Sequence, residues 1–154
     1  MRVVAQRVSM ARVEVDGEVV GEIGRGLVIF LGIARGDSAA GVEYLVEKMV
    51  GLRVFPDEQG KMNRSVMETG GSLLVISQFT LYGDVRRGKR PSFDRAAPPE
   101  EARLLYELFL QSARERGVRV EAGVFQAAMQ VHLVNDGPVT ILCDTFDTTK
   151  RENT

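Results

Sequence analysis

The chain has 154 residues, 44% hydrophobic and 27% charged, with a net charge of −1. That is the size of one domain, able to bury roughly 68–70% of its unfolded surface without a covalent staple. The charge balance excludes a globally basic nucleic-acid binder, so any such site must be a local patch. The lone cysteine, Cys143, excludes an internal disulfide and fits a reducing compartment.

The opening Met1-Arg2-Val3-Val4-Ala5-Gln6-Arg7 lacks the apolar run of a signal peptide. No apolar stretch approaches the roughly 18 residues that span a membrane, so a cytoplasmic protein is expected. From Val3 to Val20 apolar and polar residues alternate in two short runs around Asp16-Gly17, a hairpin signal. After Gly24-Arg25-Gly26, the run Leu27 to Ile33 reads as a strand buried on both faces. Ser38 is placed to cap a helix reaching about Val50, with Val42, Leu45, Val46 and Met49 on one face. Leu52 to Phe55 predicts a short strand stopped by Pro56-Asp57, and Glu58 to Thr69 a polar loop.

Ser72 to Tyr82 is the second strongly apolar strand, followed by a basic segment from Gly83 to Pro99. Pro98-Pro99-Glu100-Glu101 opens a helix to about Arg116, stopped by Gly117, with Leu104, Leu105, Leu108, Phe109 and Ala113 as its stripe. Strands are expected at Arg119–Val124, Gln130–Val134 and Val139–Asp144, and the last ten residues, from about 145, form a polar tail expected to fray. The sum is one domain over residues 1–154 in the α/β class, of the α+β type: a largely antiparallel or mixed sheet and two helices. Two helices cover one sheet face at best, which points to a homodimer covering the other.

The side-chain inventory limits the chemistry. A Ser-His-Asp or Cys-His site would have to use the single histidine, His132, or Cys143. His132 lies in an alternating strand on the face of Gln130 and Val134, which favours a structural or surface role. Cys143 reads as a core or surface thiol. No His/Cys set can hold zinc, and no G-x-x-x-x-G-K-S/T or G-x-G-x-x-G element follows a strand, so no metal or nucleotide cofactor is expected.

Two segments stand out. In Ser77-Gln78-Phe79-Thr80-Leu81-Tyr82, polar groups crowd the end of a buried strand, where hydroxyls, an amide and backbone N–H groups can line a polar pocket and bind a developing oxyanion. The plainer alternative, that Ser77 and Thr80 satisfy nearby backbone groups, stands beside it. Asn135-Asp136-Gly137-Pro138-Val139-Thr140, between two strands, reads on composition as a hairpin turn. Together these motifs closely resemble those of D-aminoacyl-tRNA deacylases. The resemblance extends over nearly the whole chain and includes the opening Met-Arg-Val-Val-Ala-Gln-Arg-Val, Gly-Leu-Val-Ile-Phe-Leu-Gly-Ile, and Lys89-Arg90-Pro91-Ser92-Phe93-Asp94.

The resemblance implies a homodimer of β-barrel-like domains with the site at the subunit interface. Gly137-Pro138 is similar to the family's Gly-cisPro motif, which reaches into the partner's pocket. Its backbone carbonyls would reject an L side chain while a D residue, or glycine, passes. Arg7 matches the arginine that helps hold this loop, with Asn135 beside it in the same motif, although a surface charge reads Arg7 equally well. Ser77, Gln78, Phe79 and Thr80 match the opposite, catalytic wall. The implied reaction is hydrolysis of D-aminoacyl-tRNA, and of glycyl-tRNA mischarged on tRNA-Ala, without metal. The RNA's 2′-OH would assist and backbone N–H groups would hold the oxyanion. Thr80 as nucleophile is the less favoured route, because no base is evident to activate it. Arg86, Arg87, Lys89 and Arg90 are expected to face tRNA phosphates. A non-catalytic tRNA-binding dimer and a Thr80-nucleophile esterase remain as alternatives.

Overall fold

In the computed structural model, which describes residues 1–145, two buried strands run side by side through the centre. The strands β3 (Gly26–Gly32) and β6 (Ser72–Ser77) pair in parallel, from Gly26 against Ser72 to Leu31 against Ser77. Both are almost wholly buried, as expected for parallel strands covered on two faces. Gly26 is required at the start of this ladder: a Cβ there would sit 1.9 Å from the Ser72 carbonyl oxygen.

The long strand β1 (Arg2–Val15) folds back through a tight turn onto β2 (Glu18–Ile23). Asp16 and Gly17 take φ of +51° and +80°, the paired left-handed geometry their sequence predicts. One edge of β1 is shared by β3 and β2, and the other is taken along its whole length by β8 (Gln130–Asp144). The strand β7 (Arg119–Ala122) adds in parallel to β6, and β2 comes up against it where Gly21 faces the Ala122 carbonyl, so the mixed sheet curls into a nearly closed barrel. A small hairpin of β4 (Phe55–Pro56) and β5 (Met62–Arg64) sits apart.

Alternation along the strands separates two cores. Val8, Ala11, Val13, Ile23, Val28, Leu74 and Ile76 fill the barrel interior. Val3, Ala5, Leu27, Ile29, Leu31, Leu73 and Val75 face outward under the helices α1 (Ala39–Gly51) and α2 (Pro99–Glu115). Alternation along β1 is unbroken from Val3 to Val8 and changes parity once, between Val8 and Ala11, where its pairing with β8 is irregular. The Tyr106 hydroxyl of α2 donates to the Val75 carbonyl at 3.0 Å, tying that helix to the sheet.

Several expectations shift. Ser38 stands at the N-cap of α1 but makes no side-chain cap; its carbonyl accepts from the Gly41 and Val42 N–H groups instead. Leu104 is 69% exposed, and Tyr106 takes the core position one face around α2. The expected strand to Tyr82 ends at Ser77, because Phe79–Tyr82 winds into a 3-10 turn. The polar stretch 58–69 contains β5, and β4 begins at Phe55 rather than Leu52. The two strands expected around Asn135–Pro138 are one strand, and those residues are an outward bulge rather than a hairpin turn. Thr145 is held, donating its N–H to the Met1 carbonyl at 3.0 Å and accepting from the Met1 ammonium at 2.8 Å. That buried ammonium also pairs with Asp37 at 2.8 Å. The rest of the expected tail, 146–154, lies outside the described residues.

Candidate active site

The parallel pair β3 and β6 ends at a cavity of about 650 Å³. Ligand sites recur where parallel strands release their chains into loops. Ser77, the last residue of β6, lines it, followed by Gln78 and Phe79. The chain turns there because the Gln78 N–H still bonds the Leu31 carbonyl at 2.8 Å, while its own carbonyl already accepts from Leu81. The first N–H groups of such a turn, on Phe79 and Thr80, have no acceptor within it.

The Gln78 amide donates to the Thr80 hydroxyl, so the two side chains of this motif are bound to each other. Arg2 braces the turn from β1, donating to the Leu81 carbonyl at 2.9 Å while paired with Asp144. Phe79 is 57% exposed and packs edge-on against Phe93 at 5.1 Å; it is a wall of the cavity mouth rather than a core aromatic.

Sequence reasoning did not identify the opposite wall: Phe125, Gln126 and Met129, from the stretch between β7 and β8. Gln126 takes φ of +65°, a conformation uncommon for a residue with a side chain and a marker of sites where shape is imposed. Arg103 of α2 holds this wall, its guanidinium 5.0 Å from the Phe125 ring centre and 3.2 Å from the Gln126 side-chain oxygen. Pro98, Pro99 and Ala102, at the start of α2, close the remaining side. An aromatic residue and a methionine in an irregular stretch were the available signal, but nothing local tells such a wall from ordinary loop packing.

Gly137-Pro138 lies elsewhere. Arg7 pairs with Leu27, whereas Leu31 pairs with Ser77, so the bulge of β8 and the cavity sit about 13 Å apart along β3. The bulge is held at both ends. Arg7 donates to the Asp136 carbonyl at 3.1 Å and to the Val54 carbonyl at 2.7 Å, with its side chain only 13% exposed. The Asn135 amide oxygen accepts from the Val139 N–H at 3.2 Å, and its nitrogen donates to the Thr140 hydroxyl at 3.1 Å. The Gly137-Pro138 peptide bond is cis, and Gly137 and Pro138 stand exposed. Within one chain the two motifs do not meet.

The basic segment is a loop closed by paired backbone bonds between Asp84 and Ser92, at 2.8 and 2.9 Å. Asp84, Arg86, Arg87, Arg90 and Ser92 line a second hollow of about 460 Å³. Arg86 is engaged by Asp84 at 2.6 Å, and this contact holds the Asp84 carboxyl down at about 2. Arg87, Lys89 and Arg90 are exposed, and Lys89 stands outside the hollow. His132 is on the outer sheet face, 3.4 Å from Glu14, and is not in the cavity wall. Cys143 packs against the helix-side core. No three His, Cys, Asp or Glu side chains gather in metal-binding geometry among the described residues.

A family model described as D-Tyr-tRNA(Tyr) deacylase matches residues 4–144. A protein of Symbiobacterium thermophilum named D-aminoacyl-tRNA deacylase is 62% identical over 148 residues, 96% of this chain and 98% of its own. Among solved structures, c-Myc DNA Unwinding Element Binding Protein superposes with a TM-score of 0.89 at 44% identity, covering 94% of this chain and 99% of its own. A chain described as a probable eukaryotic D-amino acid tRNA deacylase superposes at 0.80 with 19% identity over 92% of this chain and 97% of its own, a likeness of fold.

Proposed function

This chain belongs to the D-Tyr-tRNA(Tyr) deacylase family, and from that premise we propose that it hydrolyses the ester of D-aminoacyl-tRNA to free D-amino acid and tRNA. The observation that carries the reading is the cavity at the end of β6. Its volume, about 650 Å³, suits an aminoacyl-nucleoside, and its aromatic and thioether walls suit a nucleobase. The N–H groups of Phe79 and Thr80 stabilise the oxyanion formed at the ester carbon. The vicinal 2′-OH of the substrate's terminal ribose assists the attacking water, and no metal takes part. Thr80, already bound to Gln78 and without a base beside it among the contacts described, is a poor nucleophile.

The active unit is a homodimer. Gly137-Pro138 of one protomer enters the other's cavity and its carbonyls exclude an L side chain, while glycine, including glycyl-tRNA mischarged on tRNA-Ala, passes. The separation of the two motifs within one chain supports this reading, as do the exposed apolar side chains of Leu142, Val134 and Met10 along β8 and β1. Arg7 and Asn135 fix the loop. Arg87, Lys89 and Arg90, with Arg86 held on Asp84, face phosphates of the acceptor end. The protein works as one deacylase domain over 1–154 in the cytoplasm; no helix among the described residues is long and apolar enough to cross a membrane.

The test compares D- and L-aminoacyl-tRNA with and without EDTA, then a substrate ending in 2′-deoxyadenosine. D-selective turnover unaffected by EDTA and strongly slowed by the deoxy end is expected. Normal cleavage of the deoxy substrate overturns the RNA-assisted step, and tRNA binding without turnover leaves a non-catalytic binder.

A further inference from the structure

Among the described residues that line the cavity, Arg35 is the one ionised at neutral pH. It follows β3 on the same end of the sheet as Ser77 and stands exposed at the opening. Its backbone is fixed: the Arg35 N–H donates to the Arg95 carbonyl at 3.0 Å, and the Ala34 N–H donates to Asp37 at 2.7 Å. Its side chain is fixed as well, since Nε donates to the Asp94 carbonyl at 2.9 Å. That acceptor is a neutral carbonyl, so its contact leaves the positive charge uncancelled, unlike Arg86 on the Asp84 carboxylate. A guanidinium tethered through Nε keeps its two Nη groups for a second partner, in the planar fork that matches phosphate oxygens.

We infer that Arg35 binds the 5′-phosphate of the terminal nucleotide, so that the site selects an esterified nucleotide over the esterified nucleoside. The inference rests on the deacylase reading. With base and amino acid inside the cavity and the ester on the ribose, the 5′-phosphate is the group that leaves through the opening. A cation at that opening, with uncharged side chains behind it among the described residues, is placed to meet that phosphate. The contact is equally strong before and during the reaction, so it acts on KM and leaves kcat alone.

The test uses two small substrates, a D-amino acid esterified to the ribose of adenosine and to that of adenosine 5′-monophosphate. The wild-type protein is expected to prefer the monophosphate ester by about tenfold in kcat/KM, through KM, with the preference shrinking as salt rises. R35Q should erase that preference and leave the adenosine ester untouched, while R35K, charged but without the fork, retains part of it. Thermal unfolding of each variant shows whether the fold is intact. Equal losses on both esters, or no wild-type preference, overturn the inference while D-aminoacyl-tRNA is still cleaved. A wild-type protein that cleaves neither ester nor D-aminoacyl-tRNA overturns the deacylase reading, and this inference with it.

Discussion

Gly137 has φ of +128°, a region closed to residues with a side chain, and a Cβ there would come within 2.9 Å of both the Arg7 guanidinium and a Val139 methyl. Gly137→Ala is therefore expected to cost about 1–3 kcal/mol and to lower Tm by several degrees, less if Arg7 swings aside. Because Arg7 holds the Asp136 carbonyl, the same change should weaken discrimination against L-aminoacyl-tRNA; unchanged Tm and D/L ratio would count against the role given to this bulge. Thr80 gives the opposite expectation. Its hydroxyl accepts from Gln78 on an exposed turn, so Thr80→Val should lower kcat by less than about tenfold, measured as single-turnover hydrolysis. A loss of about 10³-fold or more would identify a nucleophile.

At the scale of elements, the bond between α2 and β6 has a pH signature. The buried Tyr106 hydroxyl is pushed up to about 12 from an ordinary value of 10.0, burial being the cause. Between those values the folded chain keeps a proton that the unfolded chain loses, so this group's contribution is full below about pH 10 and declines as pH rises toward 12. The Val75 carbonyl also accepts from the Gly123 N–H at 3.2 Å, so it keeps a partner when the tyrosine hydroxyl is removed. Tyr106→Phe should thus cost about 0.5–1.5 kcal/mol in urea unfolding at pH 8, and the gap to wild type should close by pH 11. A constant gap would mean the hydroxyl is not protonated in the way described.

Elements with a period were legible in sequence: the Asp16-Gly17 hairpin, the buried run of β3, and both helices. Leu104 was misassigned because Leu104, Leu105 and Leu108 fit two adjacent faces of α2, and only packing chooses Tyr106. The single strand β8 was hidden because Asn, Asp, Gly and Pro have the same local preferences in a bulge as in a turn. What distinguishes them is pairing with β1, distant in sequence. Of the cavity, the Ser77–Phe79 wall was legible as polarity breaking into an apolar strand, while Thr80, in the same motif, is not in its lining. The Phe125 wall was not, because its shape depends on Arg103 reaching across from α2.

For the whole molecule, two motifs about 13 Å apart along β3 predict a complementation result. Ala102→Trp fills the cavity, and Arg7→Ala releases the β8 bulge. Each variant alone should lose most activity. If the active unit is the proposed dimer, the two variants mixed and reassembled should form heterodimers in which both defects fall on one site and the other is intact, so about a quarter of wild-type turnover should return. No recovery after subunit exchange would place both motifs in separate functions. The bulge itself is spliced into a ladder: Asn135 opposite Val8 and Thr140 opposite Gln6 pin its two feet. A gatekeeper that works by collision is only as selective as it is stiff. On the proposed reading, a free loop would yield and let the wrong mirror image lean past, whereas one riveted on both sides into the barrel wall would turn the rigidity of the scaffold into fidelity.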